Sequence, residues 1–234
     1  MKSGKGRVLP LLLVVVAVSL WVYDQKHAAG NAPKSPLPRA EKSPTPPASR
    51  KQPTAKKAET TGGYEFYHGC TLVPARGNDG DSFKVKLPDG RTSELRLYFV
   101  DTPESAFKTY GGGETNHARI ADQAADLGGV TPKQAVEIGQ KAKQFTLALL
   151  ASASFDIFTR WDSPFNDQRY HAFVRINSGG KDRWLHEILV EKGFVRIHTK
   201  GAALPDGTSY PTQKAHLKQL ESTAKKAGVG VWGL

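Results

Sequence analysis

"RLYFVDTPES" at residues 96–105, a short way after "GNDGDSFKV" at 77–85, poses the question on which the reading of this chain turns. Leu97, Tyr98, Phe99 and Val100 form an apolar run suited to a buried strand, yet it leads straight into Asp101-Thr102-Pro103-Glu104. Upstream, "DSFKVKL" alternates as a strand, "PDGR" is a tight turn, and "TSELRLYFV" is the strand that ends at the acidic stretch. Asp79 and Asp81 therefore lie one hairpin away from Asp101 and Glu104. Four carboxylates gathered within so little chain repel one another unless a cation or a substrate needs them.

Each half has an ordinary explanation when taken alone. Asp-Gly-Asp before a strand is common turn chemistry, and Asp-Thr-Pro-Glu can start a helix with Pro in its first turn. Their occurrence on neighbouring strands points elsewhere. Asp81 and Asp101 can face each other across the hairpin, the Thr102 carbonyl can complete a hard-oxygen set, and Glu104 can sit one water further out. Calcium is the ion that a loose, oxygen-only set suits best. Arg96 stands five residues before Asp101, and Arg169 opens a later strand, "YHAFVRIN". Singly, each arginine reads as a solvated strand-edge charge, or for Arg96 as a partner of the acids around it. As a pair beside a divalent cation, two guanidinium forks suit a phosphodiester under in-line attack.

The remainder of the chain bounds these readings. Its 234 residues and 38% hydrophobic content support a real core. Residues 1–63 hold 11 Lys+Arg against 3 Asp+Glu, and residues 64–234 hold 22 against 19, so most of the +11 net charge belongs to the first quarter of the chain. Overall basicity is thus no argument about the folded part. The single cysteine, Cys70, excludes an internal disulfide and reads as a small buried residue on a strand.

"MKSGKGR" followed by the uncharged, apolar residues 8–23 reads as an export signal or an N-terminal membrane anchor, with Trp21 and Tyr23 placed as interface residues. No good small-x-small cleavage site follows, which favours the anchor. The expected location is the outer face of the cytoplasmic membrane, or the medium if the segment is removed. Residues 24–63, rich in Pro, Lys, Ala and Ser, read as a disordered tether before a folded domain at 64–234.

Within that domain "YEFYHGCTLVPARG" opens with a strand. The polar, Gly-rich stretch 105–130 is an excursion with room for a short helix in "HARIADQAADLGG". Thr131, Pro132 and Gln134 announce a helix start by a capping box, and Gly193 and Gly228 stop two later helices. Five short strands with about three appended helices predict an α+β fold, mainly β, built as a small closed barrel.

In order, "DGDS", "LRLYFVDTPE", the downstream arginine, "ILVEKGFVRI" and the closing "GVW" resemble the thermonuclease, or staphylococcal nuclease-like, family over residues 64–234. The resemblance implies a five-stranded OB-fold barrel and calcium-dependent cleavage of DNA and RNA that leaves 3′-phosphates, expected of a monomer. It implies Asp81, Asp101 and the Thr102 carbonyl as metal ligands. Glu104 is then the group that orients or deprotonates the attacking water, and Arg96 and Arg169 hold the phosphate. Ser82 stands where the family has threonine. Asp167-Gln168-Arg169 replaces the usual Tyr-Gly-Arg, which leaves Arg160 and Arg175 as rivals for the second arginine. Base-packing tyrosines are replaced by "HTKGAALPDGTSY", and the 105–130 stretch is long enough to act as a lid or to restrict substrates. The alternative is a nucleic-acid- or protein-binding barrel without catalysis, which would lack site residues that are present here.

Overall fold

Phe83 and Val85 point inward and Lys84 and Lys86 outward along β3 (Ser82–Lys86), the alternation of a strand with one buried face. The computed structural model describes residues 59–164 and 167–234. β3 pairs antiparallel with β2 (Tyr64–Leu72) on one side and with β4 (Thr92–Leu97) on the other. Gly90, at φ 89°, makes the turn from β3 into β4, a conformation open to glycine at little cost. β4 runs parallel to β7 (Arg169–Ser178), β7 pairs with β6 (Phe155–Thr159), and β6 returns to β2. The order β2-β3-β4-β7-β6-β2 is a closed five-stranded barrel with one parallel seam, consistent with an OB-fold. Tyr64, Phe83, Leu95, Leu97, Ile157 and Phe173 fill its core.

Two features depart from the expectation. β1 (Glu59–Thr61) pairs with β2 through Gly62 and Gly63, so ordered chain begins inside the stretch read as tether; the backbone ladder to β2 makes a strand of polar residues that composition alone consigns to a linker. The rest of that stretch and the apolar segment 8–23 lie outside the described residues. Among the described residues no helix is long and apolar enough to cross a membrane.

The strand predicted to run through Val100 also breaks. Tyr98 still donates its amide to Ala172, but Phe99 sits at φ 71°, a left-handed conformation costing roughly 1–2 kcal/mol for a bulky residue. Its fully buried ring, stacked on Tyr210 at 5.6 Å and on His186 at 5.7 Å, offsets that cost. The bend sends β5 (Val100–Asp101) off the barrel to pair with β9 (Arg196–Ile197).

Four α-helices are present among the described residues, among them the short one for which the excursion has room. α1 (His117–Asp126) lies in the excursion, and α2 (Pro132–Ser152) follows with the predicted Thr131–Gln134 capping box. A hairpin strand, β8 (Lys181–Trp184), leads into α3 (Leu185–Glu191), and α4 (Tyr210–Lys226) with a closing 3-10 turn (Gly230–Gly233) completes the fold. Cys70 is buried on β2 as expected, and burial pushes its thiol up to about 12. α2 is the platform for both acidic segments. Gly139 lets the backbone of Pro103 and Glu104 press onto the helix, where a Cβ would come within 2.5 Å of both carbonyl oxygens. Thr146 on the same helix donates its hydroxyl to the Gly80 carbonyl at 3.0 Å.

Candidate active site

Arg96 is paired in register with Ser82 on β3 and His171 on β7, and its side chain is buried among the acids. Its Nη2 lies 2.5 Å from Asp101 Oδ1 and 3.3 Å from Asp81 Oδ2, so one guanidinium nitrogen bridges the two carboxylates that the sequence brings together. Arg96 Nε is buried with no partner among the described residues.

The two aspartates have opposite electrostatic surroundings. Burial pushes the Asp81 carboxyl up to about 6, with Asp101 and Asp79 adding to the shift while Arg96 and the Thr102 amide oppose it. Asp81 accepts from Ser82 Oγ at 3.1 Å and from the Thr102 amide at 3.0 Å. Asp101 is equally buried, but the Gln123 hydrogen bond and the charges of Arg119, Arg96 and Arg196 outweigh burial and hold its carboxyl below the usual range. Its Oδ1 takes Arg96 and Arg119, and its Oδ2 takes Gln123 at 3.0 Å and Arg196 at 2.8 Å. Burial is thus the main influence on Asp81, which Arg96 only partly offsets, whereas Asp101 is held charged by three guanidinium groups and Gln123.

Thr102 is buried, and its carbonyl accepts from Gln123 Nε2 at 3.1 Å, which leaves one lone pair of that oxygen for another donor or ligand. Glu104 is held by three cation or amide groups: Arg119 Nε at 3.0 Å, Lys108 Nζ at 3.2 Å and Asn116 Nδ2 at 3.4 Å. Arg169, at the start of β7, is oriented by Asp167, whose Oδ2 accepts from its Nε at 2.8 Å. The rival arginines are occupied elsewhere. Arg160 lies over the Tyr64 ring at 4.1 Å, and Arg175 pairs with Asp156 on β6 at 2.7 Å.

Two cavities meet at this cluster. One of about 140 Å³ is lined by Asp79, Asp81, Thr102, Glu104 and Lys108 among others. The second, of about 380 Å³, is lined by Asp101, Asp167, Arg196, His198, Thr199 and Lys200. Arg96, Arg119 and Arg169 line both. Among the described residues no three Asp, Glu, His or Cys side chains converge as a ready-made cation cage. Asp79, Asp81 and Glu104 are hard-oxygen donors of the kind a calcium ion takes, and they border the smaller cavity together with the cationic Arg96, Lys108, Arg119 and Arg169. Asp101 can join only by loosening an arginine.

Sequence reasoning placed Asp81, Arg96, Asp101, Thr102, Glu104 and Arg169 within one cluster, and the structure brings them together. It missed Arg119, Gln123, Lys108 and Arg196. The first three lie in an excursion with no local motif, and Arg196 sits in an otherwise apolar strand of two residues, so nothing short of the fold connects them to Asp101.

The family model described as staphylococcal nuclease homologue matches residues 94–233, which include five of the six predicted site residues. The chain belongs to the staphylococcal nuclease homologue family. No curated protein gives a significant match to it. Among solved structures, it is similar to the extended Tudor domain of Drosophila melanogaster Tudor-SN (p100), at 11% identity and a TM-score of 0.36 over 95% of this chain and 88% of that one. Asp81, the sixth site residue, lies ahead of the family match and enters the cluster through the β3–β4 pairing.

Proposed function

We propose that this member of the staphylococcal nuclease homologue family is a calcium-dependent nuclease that hydrolyses phosphodiester bonds of DNA and RNA, leaving 3′-phosphates. The single observation that carries this reading is the meeting of two cavities at three guanidinium groups, with Glu104 on the smaller one and Asp81 beside it. Arg96 and Arg169 hold the phosphate oxygens and the charge that develops on them, and a planar fork is better suited to this than an ammonium. Glu104 orients the attacking water and accepts its proton at Oε1 or Oε2, with Lys108, Asn116 and Arg119 fixing the carboxylate. Asp81, Asp101 and the Thr102 carbonyl are the residues that would hold Ca²⁺. When bound, the ion supplies Lewis-acid stabilisation of phosphoryl charge. The basic stretch and apolar run at the N-terminus support export, with the domain tethered outside the membrane or released.

The test is degradation of plasmid DNA and of RNA by the purified protein, with calcium and with a chelator, alongside Glu104→Gln. The wild-type protein should cut both substrates only with calcium, and Glu104→Gln should be slower by about two orders of magnitude, the scale of a lost general base. One observation favours the alternative of a non-catalytic nucleic-acid-binding barrel: Asp101 already has both oxygens satisfied by protein donors. Binding of oligonucleotide with no cleavage at any calcium concentration would establish that alternative and remove the enzyme reading.

A further inference from the structure

The excursion at 105–130 does not hang over the site as a separate flap. Its hairpin is closed by the Thr109–Thr115 bridge and tied down where Asn116 accepts from the Lys108 amide at 2.8 Å and donates to the Ala106 carbonyl at 2.9 Å. α1 then docks through the fully buried Gln123, which contacts Asp101, the Thr102 carbonyl and the Glu104 amide at once. These bonds fix α1 without Arg119. What Arg119 adds is a guanidinium, half exposed, placed one helical turn before Gln123 and reaching Asp101 Oδ1 at 3.1 Å and Glu104 Oε1 at 3.0 Å.

We propose that Arg119 is a third phosphate-gripping residue, which makes the excursion part of the active site. The inference rests on the nuclease reading above and extends it to a residue that the sequence motifs do not reach. Three observations carry it. Arg96, Arg119 and Arg169 are the residues shared by both cavities, so Arg119 stands on the same ridge as the two arginines assigned to the phosphate. Its bonds to the carboxylates engage Nε and Nη2, and a five-donor fork retains donors for an incoming oxygen. The three forks come from separate elements, β4, α1 and β7, and each is oriented beforehand by a carboxylate: Asp101 for Arg96, Glu104 for Arg119 and Asp167 for Arg169.

Calorimetric titration of the full chain with a nucleoside 3′-monophosphate tests this, comparing wild type with Arg96→Lys, Arg119→Lys and Arg119→Ala and recording each thermal midpoint. Arg119→Ala should bind the nucleotide weaker on the order of tenfold or more, the scale of a lost charged hydrogen bond. Arg119→Lys, which keeps a charge between Asp101 and Glu104 and therefore the fold, should recover only part of that loss. In cleavage of an oligonucleotide, the Arg119 variants should raise KM through the lost phosphate contact and also lower kcat, since Glu104 loses one of its three partners. Wild-type nucleotide affinity in both Arg119 variants, with only the thermal midpoint lowered, would make Arg119 a structural strut and overturn the inference while Arg96→Lys still weakened binding. Should Arg96→Lys bind as well as wild type too, the nuclease reading itself falls.

Discussion

Asp81 and Asp101 are the same residue type, buried to similar degrees and sharing one arginine nitrogen, yet they play opposite parts in the charge balance. Asp101 is matched by three guanidinium groups, whereas Asp81 has Arg96 at 3.3 Å and two other carboxylates nearby. In the absence of a cation, Asp81 is thus a destabilising charge at neutral pH, its carboxyl being raised chiefly by burial. Asp81→Asn should raise the thermal midpoint of the protein in chelator and abolish the further rise that calcium gives the wild type. An unchanged calcium-induced rise in Asp81→Asn would remove Asp81 from the ligand set. Arg169 provides a second test at this scale. Arg169→Lys keeps the charge but loses the fork that Asp167 orients, so turnover should fall steeply, while Arg175→Lys and Arg160→Lys, whose arginines serve Asp156 and the Tyr64 ring, should be mild. Steady-state kinetics on the three variants decides it, and a steep loss in Arg160→Lys or Arg175→Lys with Arg169→Lys near wild type would move the role.

At the scale of elements, α2 sets the spacing of the acidic segments, and two glycines permit it. A Cβ at Gly139 would meet the Pro103 and Glu104 carbonyls at 2.5 Å, and one at Gly80 would meet Thr102 Cγ2 at 2.7 Å. Helix propensity alone says that Gly139→Ala stabilises by about 1 kcal/mol. Steric contact with backbone that cannot swing away says the reverse, and overpacking of this kind costs roughly 1–3 kcal/mol. The clash should win: Gly139→Ala should lower the urea midpoint and, by displacing Glu104, lower kcat more than calcium affinity. A stabilised, fully active Gly139→Ala would show that the Asp101–Glu104 segment yields freely. The start of α2 was legible because Thr131, Pro132 and Gln134 carry their signal within four residues. The break at Phe99 was not, since its left-handed backbone is held by Tyr210 and His186 from far along the chain, and Leu97–Val100 in isolation is a good strand. Arg119 escaped for the same reason, its two partners lying across the docked excursion.

At the scale of the whole molecule, barrel closure depends on long-range pairing, and the barrel packs against an aromatic layer with a fully buried imidazole. His186 stacks on Phe99 and lies 5.5 Å from the Phe173 ring, with Trp184 also beside it. Its Nε2 accepts from Gln213 Nε2 at 3.0 Å, so the ring is neutral and must surrender an acceptor to protonate. Burial, with a smaller contribution from His216, lowers its pKa from 6.5 to about 3. A folded pKa below the unfolded one means that the unfolded chain binds the proton more readily. The stability contributed by neutral His186 is therefore fully present above about pH 6.5 and is lost as pH falls from there toward 3, at up to about 1.4 kcal/mol per pH unit. His171, lowered to about 4 chiefly by burial, adds to the same slope. His186→Phe keeps the stacking and leaves Gln213 Nε2 its bond to Glu187 Oε1 at 2.8 Å. Urea unfolding of wild type and His186→Phe between pH 7 and 4 should show curves that lie close at pH 7 and diverge as pH falls, the variant losing less stability by about one proton's worth of slope. Parallel curves over that range would mean that acid destabilises the barrel through other groups and that His186 is protonated no more readily in the unfolded chain than in the folded one.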